Sequence, residues 1–192
     1  MPATKARIRK QLKQRRAELA ASERAPLDRR ICGHVLRHLD DHGADTLGAY
    51  LSHDGEPDLE PLLRSEHKSG RGIYLPAIHG RRKGEMEFVR WEPEAELIRS
   101  RYGVREPAAG EPVRPGDLSV VLTPLLAFTA DGVRLGMGAG YYDRYFGALR
   151  ERGDCPQLVG VAYARQQIES IPNDPWDVFL DAVITENGVT YC

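Results

Sequence analysis

The chain has 192 residues, of which 41% are hydrophobic and 29% charged, a composition typical of one globular, enzyme-sized domain. Its 27 basic and 28 acidic residues give a formal charge of −1, which excludes a general electrostatic attraction to nucleic acid or anionic membranes. The three cysteines show no CxxC or Cys/His spacing, the N-terminus is too charged for a secretory signal, and no apolar run is long enough to span a membrane. We therefore expect a soluble, reduced, cytoplasmic protein.

Two helices are predicted at the start of the chain. Residues 3–20 are strong helix formers with basic side chains on most faces. A stripe of apolar residues, which should dock on the rest of the domain, is formed by Ile8, Leu12 and Leu19. A second helix should run from about Ser22, the candidate N-cap, to about Leu39. The basic faces of the first helix also fit a solvated surface or a nucleic-acid-binding arm.

Beyond the second helix, short apolar runs typical of strands alternate with helices. The predicted strands are residues 46–52, 72–78, 86–91, the beginning of 117–128, 157–164 and, as the last, 181–188. Further helices are predicted at 60–70 and 141–152, and the proline-rich segment 92–116 should be mostly loop, with one helical turn at PEAELI (93–98). This order predicts an α/β fold: a single three-layer domain over residues 1–192, with a mostly parallel sheet flanked by helices and the basic helix docked on it.

One stretch, GVRLGMGAGYYDRYF (residues 132–146), is unusually rich in glycine and leads from a predicted strand into a helix. Such a loop can direct backbone N–H groups at a phosphate, and the positive end of the helix dipole adds to the attraction. Arg134 and Arg144 supply charges suited to phosphate oxygens, and Asp143 at the helix start is suited to Mg²⁺. Neither the P-loop pattern nor GxGxxG matches. The residues alone therefore leave open a surface loop whose tyrosines pack in the core.

The segment PLLAFTADGVRLGMGAGYYDRYF (residues 124–146) resembles the signature of the 5-formyltetrahydrofolate cyclo-ligase family, also called methenyltetrahydrofolate synthetases. Further blocks follow in family order along nearly the whole chain: KARIR, YLSHDGEPDLEPLL, GIYLPAI, REP (105–107) and IPNDPWDVFLDAVIT. The resemblance implies an ATP- and Mg²⁺-dependent conversion of 5-formyltetrahydrofolate to 5,10-methenyltetrahydrofolate, ADP and phosphate. The γ-phosphoryl group of ATP would go to the formyl oxygen, and N10 would then attack the formyl carbon and expel phosphate.

The resemblance also implies site residues. Those for ATP are Lys5, Arg9, Arg134, Leu135, Gly136, Met137, Gly138, Ala139, Gly140, Tyr141 and Tyr142, with Arg134 and Tyr141 as catalytic residues. Those for the folate are Arg9, Leu51, Glu56, Met137 and Tyr141, and those for Mg²⁺ are Asp143 and Asp177. The implied partners are 5-formyltetrahydrofolate and ATP, without nucleic acid or membrane, and the protein is expected to be a monomer.

Taken without the resemblance, single residues keep simpler interpretations. Asp143 could be an N-cap or first-turn residue, Asp177 could close the NDPWD turn, and Glu56 could be an exposed turn acid. The basic residues Lys5 and Arg9 could belong to a solvated face. The alternative function is a non-catalytic nucleotide- or folate-binding protein, which would keep the loop and lack turnover.

The sequence departs from the family pattern at three positions. Thr129 stands where aspartate is common, and Met137 and Ala139 stand where some relatives carry a basic residue. Without those charges, neutralisation of phosphate should depend more on backbone N–H groups and on the remaining cations.

Overall fold

The computed structural model describes residues 4–79 and 85–192, so residue 3 of the predicted first helix lies outside it. The helices are α1 (Lys5–Ala17), α2 (Ala21–Asp41), α3 (Glu60–Lys68) and α4 (Tyr141–Arg152). The first six strands are β1 (Thr46–Gly48), β2 (Gly72–Ala77), β3 (Glu87–Arg90), β4 (Leu97–Arg99), β5 (Arg105–Pro107) and β6 (Val120–Pro124). The others are β7 (Ala127–Phe128), β8 (Arg134–Leu135), β9 (Gln157–Val161), β10 (Ala182–Thr185) and β11 (Gly188–Tyr191).

A seven-stranded sheet in the order β11-β10-β9-β6-β1-β2-β3 forms the centre of the domain. Its five inner strands are parallel, and the edge strands β3 and β11 are antiparallel to their neighbours. In the register of β1, Leu47 lies between Ile73 of β2 and Val120 of β6. The predicted parallel crossover through α3 and the mostly parallel sheet are confirmed.

Both faces of the sheet are covered, as a three-layer fold requires. On one face, α2 and α3 bury Val35 and Leu63 against sheet residues such as Leu122. On the other face, Phe146 of α4 packs against Phe88 and neighbouring strand residues. Near-complete burial of apolar side chains on both faces is what holds parallel strands in place.

Helix α1 docks on a different part of the domain. Leu12 packs with Val133 and Leu135 of the β7–β8 hairpin and with Ile171. The rest of the helix carries mostly charged and polar side chains, so Leu12, together with the partly buried Ile8, forms its main apolar contact. The docking places α1 beside the glycine-rich segment, since that segment continues directly from β8. No helix within the described ranges is long and apolar enough to cross a membrane.

Several predicted elements differ from the structure. Strand β1 ends at Gly48, with a further hydrogen bond from the N–H of Ala49 to the carbonyl oxygen of Tyr74 at 2.9 Å. Residues 50–51 of the predicted strand are buried but unpaired, because an apolar run indicates burial rather than pairing. The helical turn predicted at PEAELI is wrong: Leu97–Arg99 form β4 instead, paired antiparallel with β5. Helix α2 begins at Ala21 rather than Ser22, and the Glu23 carboxylate accepts a hydrogen bond from the N–H of the N-cap residue Ala20 at 2.9 Å.

The last predicted strand is also wrong in extent. The observed strand β10 ends at Thr185, and a turn through Asn187 leads into β11, which pairs antiparallel with β10. The Asn-Gly pair at 187–188 is a hairpin signal that was readable in the sequence.

Candidate nucleotide and folate site

The glycine-rich loop, residues 136–140, connects β8 to the first turn of α4. Its backbone has positive φ at Gly138 (103°) and Gly140 (66°), a conformation that side chains of L-residues rarely adopt. Gly140 is the N-cap of α4, and no side chain caps the helix there. The first N–H groups of α4 are therefore left without a capping acceptor, which is the arrangement that helix N-termini use to bind anions.

Two arginines hold the backbone of the loop. Arg9 of α1 donates from Nε to the carbonyl oxygen of Gly136 at 2.9 Å, and Arg144 donates from Nη2 to that of Ala139 at 2.7 Å. A Cβ atom on Gly138 would lie only 3.3 Å from the guanidinium of Arg9. The structure thus brings Arg9 to the glycine loop across 127 positions of the sequence.

Lys5, at the first turn of α1, is fixed by two aspartates of a turn that follows β9. Its Nζ lies 2.6 Å from Oδ2 of Asp174 and 2.5 Å from Oδ2 of Asp177. The N–H of Asp174 also donates to Oδ2 of Asp177 at 2.8 Å. Burial alone lowers the pKa of Lys5, but the hydrogen bonds and charges of both aspartates outweigh it and raise the pKa. Asp174 was missed by the sequence analysis, although it stands in the same NDPWD motif.

Asp143, in the first turn of α4, is paired with Arg134 of β8. The Nη2 of Arg134 donates to Oδ1 of Asp143 at 2.7 Å, and the guanidinium carbon lies 5.2 Å from the centre of the Tyr142 ring. The same Oδ1 accepts the N–H of Val178 at 3.2 Å, and Val178 directly follows Asp177. The two predicted metal ligands therefore lie on neighbouring segments. The N-cap interpretation of Asp143 is wrong, since Gly140 holds that position.

The aspartates can be tested for their fit to Mg²⁺. Within the described part of the chain, no group of three or more His, Cys, Asp or Glu side chains is arranged to hold a metal ion. Asp143 and Asp177 supply carboxylate oxygens, each now paired with a cationic side chain. Mg²⁺ at nucleotide sites is usually held by one or two protein carboxylates, with phosphate and water oxygens completing the shell. Two carboxylates on neighbouring segments, beside a helix N-terminus without a side-chain cap, fit that pattern.

The two tyrosines after the loop have different environments. Tyr142 packs its ring against Phe88 at 6.4 Å, and its hydroxyl is buried with no hydrogen-bond partner among the described residues. The hydroxyl of Tyr141 accepts a hydrogen bond from Arg101, and its ring meets Tyr102 edge-on at 5.9 Å. Partial burial opposes ionisation of Tyr141, but contacts with Tyr102 and Arg101 lower its pKa. Arg101 and Tyr102 were missed because their segment was predicted to be a plain loop.

Glu56 lies beyond the carboxyl end of β1, and the exposed position considered for it is wrong. It is buried, its Oε2 accepts the N–H of His53 at 3.1 Å, and Nη1 of Arg16 lies 3.5 Å from Oε1. Burial raises the pKa of Glu56 to about 7, although the Arg16 charge acts to lower it. The side chain of Leu51, the other predicted folate contact after β1, is packed in the core.

The three residues that depart from the family pattern lie in the β7–β8 hairpin and in the glycine loop. Thr129 is buried, and its hydroxyl accepts the N–H of Val133 at 3.1 Å, so it stabilises the turn of the β7–β8 hairpin. Met137 is exposed at the middle of the glycine loop, and Ala139 accepts the hydrogen bond from Arg144 through its backbone. None of the three adds a charge to the loop.

A family model for the 5-formyltetrahydrofolate cyclo-ligases matches residues 2–186. The chain belongs to the 5-formyltetrahydrofolate cyclo-ligase family. Cyclo-ligases of Haemophilus influenzae and Escherichia coli K12 are each 33% identical to it, over 89% and 93% of this chain and 91% and 98% of their own lengths. The fold matches the 5,10-methenyltetrahydrofolate synthetase of Aquifex aeolicus, with a TM-score of 0.81 and 31% identity over 97% of this chain and 92% of that one.

The synthetase of Mycoplasma pneumoniae is similar as well, with a TM-score of 0.77 and 26% identity over 96% of this chain and 99% of that one. The α/β fold and the cyclo-ligase family expected from the sequence are thereby confirmed. The protein is a ligase of folate one-carbon metabolism.

Proposed function

We propose that this cyclo-ligase converts 5-formyltetrahydrofolate to 5,10-methenyltetrahydrofolate at the expense of ATP, in the presence of Mg²⁺. The observation that carries the proposal is an uncapped helix N-terminus with cationic side chains around it. Arg9 binds the loop backbone, Arg134 pairs with Asp143 in the first turn of α4, and Lys5 is held by Asp177, which directly precedes the Asp143 contact Val178. Phosphoryl transfer needs little covalent help from a protein, and catalysis is achieved mainly by positioning and by neutralising charge. This arrangement supplies both.

On this proposal, the backbone from Leu135 to Tyr142 surrounds the phosphates of ATP, and Lys5, Arg9 and Arg134 neutralise their charge. Asp143 and Asp177 would hold Mg²⁺, which would supply neutralisation of phosphate charge. In the structure these two aspartates pair with Arg134 and Lys5, so binding would require that they exchange part of that pairing. The released cations then face the phosphates, so one rearrangement serves both ligands.

The folate would lie between the glycine loop and the end of β1. Glu56 accepts hydrogen bonds from polar hydrogens of the pterin, and Met137 and Tyr141 border the ligand. Leu51 contributes its backbone, since its side chain is packed in the core. Arg9 reaches both ligands because it already lies against the loop. The formyl oxygen attacks the γ-phosphorus and ADP leaves. N10 then attacks the formyl carbon and closes the ring, and the phosphate is expelled as hydrogen phosphate together with the N10 proton.

Asp143→Ala tests this assignment. Turnover measured against Mg²⁺ concentration should fall by at least a hundredfold, since loss of a charged ligand in a catalytic site costs about 3 kcal/mol or more. The matched control is Asp40→Ala, which removes a 60%-exposed aspartate of α2 that pairs with Arg71. Full Mg²⁺-dependent activity in Asp143→Ala would refute the metal assignment. If the folded wild-type protein binds ATP but shows no turnover at any Mg²⁺ concentration, it is a binding protein rather than a ligase.

A further inference from the structure

Arg16, in the last turn of α1, is an arginine buried in the protein, with only 3% of its side chain exposed. Its Nη2 donates to Oδ2 of Asp54 at 3.0 Å, and its Nη1 lies 3.5 Å from Oε1 of Glu56. Neither Nε nor Nη1 has a hydrogen-bond partner in the described ranges. A buried charge with unfilled donors is costly, so its retention beside a site residue calls for a role.

Arg16 is the cation that lies against Glu56, with Nη1 3.5 Å from Oε1, and its charge acts to lower the pKa that burial raises. Asp54, on the same loop, repels the carboxylate and so raises its pKa. Two buried tyrosines, Tyr50 after β1 and Tyr142 of α4, are also close enough for the negative charge of Glu56 to raise the pKa of their hydroxyls. Arg24 of α2 approaches the adjacent Gly55 but donates to the carbonyl oxygen of Leu19 instead.

We propose that Arg16 is a positioning residue for the folate site, which favours the ionised form of the Glu56 carboxylate and fixes its orientation. The inference rests on the proposed contact between Glu56 and the pterin. An ionised carboxylate is a pure acceptor and can take two N–H donors, whereas the protonated form loses part of that capacity. Because burial favours the neutral form, a neighbouring positive charge is needed to keep the acceptor available near neutral pH.

The first test is the pH dependence of kcat/KM for 5-formyltetrahydrofolate, with ATP and Mg²⁺ saturating. The wild-type profile should have an acidic limb near pH 7, set by the pKa of Glu56. In Arg16→Met this limb should move up by about one pH unit or more, since an adjacent opposite charge lowers a carboxyl pKa by roughly that amount. At pH 7 the KM for the folate should then rise about fivefold or more, with the KM for ATP unchanged.

Two further variants complete the test. Asp54→Asn should move the limb to lower pH, because it removes the repelling charge, and asparagine tolerates the positive φ of that position (51°). Arg16→Lys, which keeps the charge, should restore most of the wild-type profile. If Arg16→Met fails to fold, as judged by its thermal transition, the Asp54→Asn and Arg16→Lys profiles decide the question. A limb unmoved in Asp54→Asn would then overturn the inference.

A second readout does not depend on turnover. The side-chain carboxyl resonance of Glu56 in ¹³C-labelled protein, assigned by its loss in Glu56→Gln, should titrate at higher pH in Arg16→Met than in the wild type. An unmoved titration, or an equal rise in the KM for both substrates, would overturn the role of Arg16. An unchanged folate KM in Glu56→Gln would refute the folate contact itself, and the inference with it.

Discussion

Replacing Glu56 with glutamine should change how the stability of the protein depends on pH. Burial raises the pKa of Glu56 from its ordinary value near 4.5 to about 7 in the folded protein. Between these pH values the folded state keeps a proton that the unfolded state has released, so the free energy of unfolding falls as pH rises. Each unit of pKa corresponds to about 1.4 kcal/mol, which gives a total loss of roughly 3 kcal/mol that is complete above about pH 7.

The assay is urea denaturation of the wild type and Glu56→Gln at a series of pH values from 4.5 to 8. The difference in unfolding free energy, wild type minus variant, should fall by roughly 3 kcal/mol over this range, whatever its constant offset. A matched control is Glu60→Gln. Partial burial acts to raise the pKa of Glu60, but hydrogen bonds from Arg64 and Arg105 outweigh it and lower the pKa.

Glu60 therefore contributes stability that is present above its unfolded pKa and is lost as pH falls through its folded pKa. The difference curve for Glu60→Gln should be nearly flat between pH 5.5 and 8. A flat curve for Glu56→Gln as well would refute the reasoning, because it would mean that Glu56 ionises as easily in the folded protein as in the unfolded chain.

Three further experiments test the nucleotide side. Gly138→Ala should cost about 1–3 kcal/mol of stability and weaken ATP binding, because φ is 103° there. Gly33→Ala in α2, where an added Cβ would meet open space, should do neither, and equal effects of the two in a melting and binding assay would contradict this. ATP should change the fluorescence of Trp176, which is 70% exposed and lies in the turn held by Lys5. Trp176→Phe should abolish the change, because the other tryptophan, Trp91, is buried. A response that persists in the variant would contradict the placement of ATP beside this turn. Lys5→Met should lower the unfolding free energy by less than about 1 kcal/mol, because the ion pair is partly exposed. The same variant should weaken ATP binding about tenfold or more in calorimetry. Unchanged binding would show that Lys5 is not part of the site.

The sequence was sufficient for the layers of the fold but not for all of its strands. Helix α4 is predicted to the residue, since glycine-rich flanks mark both of its ends. The β4–β5 hairpin was not predicted, because three-residue strands rich in charge carry too little periodicity to separate from loop.

The site was predicted as separate pieces, and the contacts between them were not. Family resemblance implied Glu56 and Asp143, but nothing local to either residue indicates that Arg16 or Arg134 would lie against it. Those pairings depend on how α1 and β8 are placed by tertiary packing. Arg16 in particular reads as one more cation of a basic helix, and only its burial distinguishes it.

The central claim is that the glycine loop binds ATP for a folate cyclisation. The most direct measurement mixes the purified protein with 5-formyltetrahydrofolate, ATP and Mg²⁺ and follows the absorbance of the methenyl product, with each component left out in turn. We predict product only in the complete mixture, with one ADP and one phosphate released per product. Product formed at the same rate without ATP, or none from a folded protein in the complete mixture, would contradict the claim.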